Sequence, residues 1–129
     1  LISTSPADNT NGNSCTNNIT VTFDDDMDTT SVTTNTVNTS CSGTIQMSTD
    51  NFVNCIQMTN GDPSTSDNTT FSVNPTSRLR NIDWLEISGN GPTYKIRVTT
   101  GVKDLSGNTM SIDNTTGTGF ITAKSTNGC

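Results

Sequence analysis

Residues 94–99 read Tyr94-Lys95-Ile96-Arg97-Val98-Thr99, and residues 19–23 read Ile19-Thr20-Val21-Thr22-Phe23. In both, an apolar side chain alternates with a polar one. A period of two sends successive side chains to opposite faces of a strand, one toward a core and one toward water. Phe71-Ser72-Val73 repeats the pattern over three residues. A single wet face points to antiparallel sheet, because parallel strands are covered on both faces and read as continuous apolar runs.

Working outward, weaker strand patterns occur at Ile2–Thr4, Thr44–Ser48, Val53–Thr59 and Gly119–Ala123. Turn-forming residues separate them: Pro6-Ala7-Asp8-Asn9, Asn11-Gly12, Asp50-Asn51, Asn60-Gly61-Asp62-Pro63, Gly89-Asn90-Gly91-Pro92 and Ser106-Gly107-Asn108. The expected strands are 2–5, 18–23, 43–48, 52–59, 69–73, 93–100 and 118–124. About seven short strands at this spacing predict an all-β antiparallel sandwich. A chain of 129 residues predicts one domain, 1–129.

Composition agrees. Thr, Asn and Ser supply 59 of the 129 residues, and only 28% is hydrophobic. These residues are poor helix formers, which excludes a buried helical domain. No apolar run approaches the roughly 20 residues of a membrane-spanning helix, so no membrane insertion is expected. Charged residues are too few, at 14%, for charge-driven disorder. The net charge of −6 and a pI near 4.1 repel phosphate backbones and anionic lipid, so nucleic acid is excluded as a partner.

The four cysteines, Cys15, Cys41, Cys55 and Cys129, form no CxxC pair, and His is absent. That argues against zinc. An even count in a core-poor chain fits two disulfides and an oxidising compartment. Leu1-Ile2 leads straight into polar residues, so an export signal would already have been removed.

Four motifs together resemble the bacterial Ig-like domains found as tandem modules of S-layer proteins and large surface adhesins. They are Ser3-Thr4-Ser5-Pro6-Ala7-Asp8-Asn9; Ile19–Phe23 followed by Asp26-Met27-Asp28; Tyr94–Asp104 with Gly107-Asn108; and Gly119-Phe120-Ile121-Thr122. The resemblance spans about Ile2 to Ile121. It implies an Ig-like sandwich at the extracellular bacterial cell surface, and it implies no chemistry, since such sandwiches host many roles. Cys41-Ser42-Gly43 through Cys55 resembles a disulfide-bearing branch, so Cys41 is expected to pair with Cys55. The first and last strands lie side by side and parallel in many such sandwiches. That brings Cys15 toward Cys129 and predicts a second bond, with intermolecular pairing of Cys129 as the alternative.

Catalysis has no candidate residues: there is no His, no GxSxG and no phosphate-binding Gly-rich loop. The chain is expected not to be an enzyme and to need no cofactor. The candidate ligand is Ca²⁺. In the implied fold two loops meet at one pole, carrying Asp24, Asp25, Asp26 and Asp28 on one side and Asp104, Asn108 and Asp113 on the other. Calcium takes 6–8 oxygen ligands, which such a set could supply, but acids also keep loops solvated. Tyr94, the only Tyr, is expected to corner its hydroxyl against the preceding connection or to be an ordinary half-buried aromatic. Thr20-x-Thr22 recurs with no fixed repeat, which argues against ice binding. Asn18, Asn38, Asn68 and Asn114 head Asn-x-Ser/Thr sequons, expected by chance at this composition.

The stretch Arg78–Gly91 is longer than the resemblance implies. It holds Leu79, Ile82, Trp84, Leu85 and Ile87. These side chains either cover an open end of the core or form an interface with another molecule. The expected function is a structural module of a surface protein, or the subunit of a surface filament or adhesin stalk. Its partners would be neighbouring copies of itself or adjacent Ig-like modules. The alternatives are an adhesive module that binds a surface glycan or host protein, and an accessory domain of a secreted enzyme.

Overall fold

The computed structural model describes residues 3–13, 18–59, 61–76 and 93–122. Among them are eight strands: β1 (Ser3–Ser5), β2 (Thr10–Asn13), β3 (Ile19–Thr22), β4 (Ile45–Ser48), β5 (Thr70–Val73), β6 (Lys95–Val98), β7 (Asn114–Thr115) and β8 (Phe120–Thr122). One antiparallel sheet has the order β1-β3-β5 and a second has β4-β6-β7, while β2 and β8 form a parallel pair. Tyr94 and Phe120 exchange two backbone hydrogen bonds of 2.8 Å, which joins β8 to the second layer. The expected two-layer antiparallel sandwich is therefore the observed one.

The period-two segments place the core. Ile19 and Val21 on β3, Phe71 and Val73 on β5, and Ile96 and Val98 on β6 are all buried, while the residues between them are half-buried. Phe23 meets Phe71 edge-on at 5.9 Å, and Tyr94 stacks on Phe120 at 5.4 Å. Met27, Val32, Ile45, Met47, Met58 and Val102 complete the same cluster.

β4 departs from the simple pattern, because all four of its residues are buried. Residues 49–55 fold back over its outer face. Ser48 donates its hydroxyl to the Asn54 carbonyl at 2.6 Å and accepts the Phe52 N–H at 3.0 Å. Gln46 donates to the Cys41 and Gly43 carbonyls and accepts from Nε and Nη2 of Arg97 at 2.9 and 2.7 Å. The Arg97 guanidinium lies 4.0 Å from the centre of the Phe52 ring. The two buried polar side chains of β4, Gln46 and Ser48, are thus both paired, as burial requires.

The covering segment also corrects an expectation. No strand forms over 52–59. Asn51 and Phe52 both have left-handed backbone (φ 60° and 63°), which interrupts extension. The Asp50 carboxylate instead accepts the Asn54 N–H at 2.9 Å, closing a turn. Only Met58 makes a bridge, to Pro75, and Ser64 bridges Ser72; both cover the outer edge of β5. Two further strands were not expected. The predicted first strand ends at Ser5, and after a turn at Pro6–Asn9 the chain pairs again as β2. The predicted last strand is preceded by β7, with Gly119 at φ 90° between the two.

Register fixes the two poles. Ser3 pairs with Thr22, so the first described residue stands beside the loop that follows β3. Thr122 pairs with Asn13 and Val73 pairs with Ile19 at the opposite end. We call these the leading and trailing poles.

Candidate functional site at the leading pole

Three loops meet at the leading pole, and backbone bonds tie them together. Asp28 N–H donates to the Lys103 carbonyl at 2.9 Å, and Leu105 N–H donates to the Asp26 carbonyl at 3.1 Å. Met27 N–H reaches the Asn68 carbonyl at 2.9 Å, and Phe23 N–H reaches that of Thr69 at 2.8 Å. Ser31 adds a side-chain link, accepting the Lys103 N–H at 2.8 Å. The loop after β3 is therefore held between the loop before β5 and the loop after β6.

This arrangement brings five of the predicted ligands to one open concavity of about 550 Å³. Asp24, Asp25, Asp26, Asp104 and Asn108 line it, with Thr69, Leu105 and Ser106. The last three escaped the sequence reading. Thr69 arrives because it precedes β5, whose register against β3 sets it beside Phe23. Leu105 is 68% exposed, an apolar side chain at the rim of an acidic hollow.

The carboxylates differ in what they already do. Asp104 accepts the Ser106 and Asn108 N–H groups at 2.9 and 2.8 Å and the Asn108 amide at 3.1 Å. Those bonds, the Asn108 N–H foremost, hold its carboxyl below the ordinary range. Asp28 is turned to its own loop. It caps the 3-10 turn Thr29–Ser31, accepting the Thr30 hydroxyl at 2.7 Å and the Thr30 N–H at 3.0 Å, and these bonds lower its pKa. Asp113 accepts the Thr100 N–H at 2.9 Å and staples the loop after β6. Asp24, Asp25 and Asp26 are exposed. Among the described residues, no three acidic, His or Cys side chains are placed to share one metal ion. Asp24–Asp26 and Asp104 face the same hollow, then, without forming a ready-made ligand cage.

Cys41 and Cys55 form the expected disulfide, with Cα atoms 5.0 Å apart, and it anchors the segment that covers β4. Cys15 and Cys129 lie outside the described residues, as do Leu79, Ile82, Trp84, Leu85 and Ile87. Tyr94 is buried, and burial raises its phenol to about 12. Its ring serves the core through Phe120.

A family model described as bacterial Ig-like domain matches residues 1–122. No curated protein matches the sequence.

Proposed function

Because the chain belongs to the bacterial Ig-like domain family, we propose that it is a structural module of a bacterial surface protein, working in series with like modules or with copies of itself in a surface filament or adhesin stalk. The observation that carries this reading is the placement of the two ends of the described chain. Ser3 pairs with Thr22 at the leading pole, and Thr122 pairs with Asn13 at the trailing pole. A domain whose ends leave at opposite poles extends a chain of modules by its own length. The compartment fits, since a disulfide persists in an oxidising, extracellular setting.

Two junction surfaces belong to this proposal. The acidic hollow of Asp24–Asp26 and Asp104 would face the preceding module, and Ca²⁺ is the proposed ligand there. The apolar residues Leu79, Ile82, Trp84, Leu85 and Ile87 are the proposed contact with the following module. Negative-stain microscopy of the purified chain tests the reading, with long particles of regular width expected. A monodisperse monomer that binds a glycan or host protein would instead make it an adhesive module.

A further inference from the structure

Asn18, Asn38, Asn68 and Asn114 each head an Asn-x-Ser/Thr sequon, and chance at this composition accounts for their number. The fold makes them unequal. Attaching a sugar to a folded chain requires two side chains to be within reach of an enzyme: the Asn amide and the hydroxyl two residues on.

Three of the four sequons are committed to the sandwich. Asn18 leads into β3, the central strand of its sheet, where Thr20 stands between Ser5 and Ser72. Asn68 has left-handed backbone (φ 60°), and its carbonyl accepts the Met27 N–H. The Thr70 hydroxyl of that sequon lies 3.3 Å from the hydroxyl of Thr22. Asn114 is half-buried in β7 and donates its amide to Met110 Sδ at 2.9 Å. The Thr116 hydroxyl accepts the Ile96 N–H at 3.0 Å.

Asn38-Thr39-Ser40 is different. All three residues are exposed, and none belongs to a strand. Only their backbone is anchored. The Asn38 carbonyl accepts the Asn35 amide at 3.0 Å, and the Thr39 carbonyl accepts the Cys55 N–H at 2.7 Å. Asn38 Oδ1 accepts the Ser40 N–H at 2.8 Å, which turns the side-chain amide over Ser40. Among the described residues, the Asn38 amide nitrogen and the Ser40 hydroxyl have no hydrogen-bond partner. The preceding Val37 is 85% exposed, an apolar surface on which the C–H face of a sugar ring can rest.

We infer that Asn38 is an N-glycosylation site of the folded domain, and that the other three sequons stay bare. The co-substrate is a sugar activated as a phosphate ester, delivered by a transferase. Asn38 Nδ2 attacks C1 of the sugar. The C1–N bond forms, the C1–O bond breaks, and its electron pair leaves with the phosphate. The displaced Nδ2 proton goes to a base of the transferase. The inference is independent of the serial reading above, because a monomeric adhesive module would carry the sugar equally well.

Glycopeptide mass spectrometry of the protein purified from its own cells tests it. Fragmentation that keeps the sugar attached should place a hexose or N-acetylhexosamine mass on Asn38, with Asn18, Asn68 and Asn114 unmodified. Ser40→Ala, made in the same cells, should abolish the added mass. It keeps the Ser40 N–H that Asn38 accepts, so the loop is retained and only the hydroxyl is lost. Ser40→Thr should restore the mass. A bare Asn38 in the wild-type protein overturns the site. Sugar on Asn18 or Asn68 at the same occupancy overturns the selection by the fold. Sugar that fragmentation places on the Thr39 or Ser40 hydroxyl, or that persists in Ser40→Ala, overturns the chemistry.

Discussion

The carboxylate of Asp8 accepts the backbone N–H of Gly119 at 2.6 Å across 111 residues of chain. Gly119 can make that approach because it has no side chain. Its φ is 90°, a region that L side chains rarely adopt, and a Cβ there would stand 2.5 Å from the Tyr94 carbonyl oxygen. Gly119→Ala should therefore cost about 2–4 kcal/mol, the range of strained backbone combined with overpacking. A denaturant titration checks it. A midpoint within error of the wild type would mean that the β7–β8 joint relaxes freely.

The pH profile has two edges. Asp8, Asp28, Asp50, Asp67 and Asp104 all have lowered pKa values, chiefly from hydrogen bonds donated to their carboxylates. For a group with a depressed folded pKa, the stabilisation is present above the unfolded value of 3.8 and is lost as pH falls below it. Tyr94 has the opposite sign. Its pKa rises from 10.0 to about 12, so its contribution is intact below pH 10 and is lost between 10 and 12. With no His in the chain, the melting temperature should stay nearly flat from pH 5 to 8, fall below about pH 4 and fall again above about pH 10. Tyr94→Phe should remove most of the alkaline edge, and a wild-type curve that slopes steeply near pH 6.5 contradicts the assignment.

How much of this was legible depends on which face a strand covers. Ile19–Phe23 and Tyr94–Val98 alternate and keep one face partly wet, so period alone placed them. Ile45-Gln46-Met47-Ser48 alternates too, yet Gln46 and Ser48 are as buried as their apolar neighbours. Their cover comes from 49–55, whose path depends on the Cys41–Cys55 bond and on left-handed Asn51 and Phe52. No local period encodes that. β2 reads Thr10-Asn11-Gly12-Asn13, a turn-like stretch of low strand propensity, and it is a strand because β8 offers it an edge. At the leading pole, the acids and their convergence followed from strand order. That Asp28, Asp104 and Asp113 bond to their own loops did not, because it depends on where each turn points its N–H groups.

The cysteines give a mapping experiment. Reducing the Cys41–Cys55 bond should cost about 3 kcal/mol by loop entropy for its separation of 14 residues, and it frees the cover of Gln46 and Ser48. For Cys15 and Cys129 the expected product is one intramolecular bond, since β2 and β8 lead toward them side by side. Non-reducing peptide mapping should recover that pair. A disulfide-linked dimer through Cys129 would assign it to assembly instead.

Calcium should act weakly. Among the described residues no three acidic side chains are placed to share an ion, so the expected affinity is that of extracellular modules, about 0.1–1 mM. At roughly tenfold excess over that Kd, linkage adds about 1.4 kcal/mol. The melting temperature should rise in millimolar Ca²⁺ and fall back with chelator. Asp26→Asn combined with Asp104→Asn should abolish the rise. A curve indifferent to both Ca²⁺ and chelator removes the ion from this pole.

Trp84 is the only Trp, so its fluorescence reports one place in the chain. In the sequence Leu79, Ile82, Leu85 and Ile87 flank it, and the described residues on either side of this stretch, Thr76 and Thr93, lie close to β5 and β6 at the trailing pole. The described strands and loops already supply one buried apolar cluster, from Ile19 to Phe120. The proposed serial assembly gives these apolar residues a role against another molecule, where an aromatic side chain can anchor a contact. In a series of modules, the molecule at that pole is the next copy. Emission should therefore be red-shifted in dilute monomer and move to the blue on assembly. Trp84→Ala should leave the monomer's unfolding free energy within about 0.5 kcal/mol of the wild type, as for a surface substitution, and prevent assembly. Blue emission from a monomer at every concentration, with a large loss of stability in Trp84→Ala, would return the segment to its own core and leave the filament interface to be sought elsewhere.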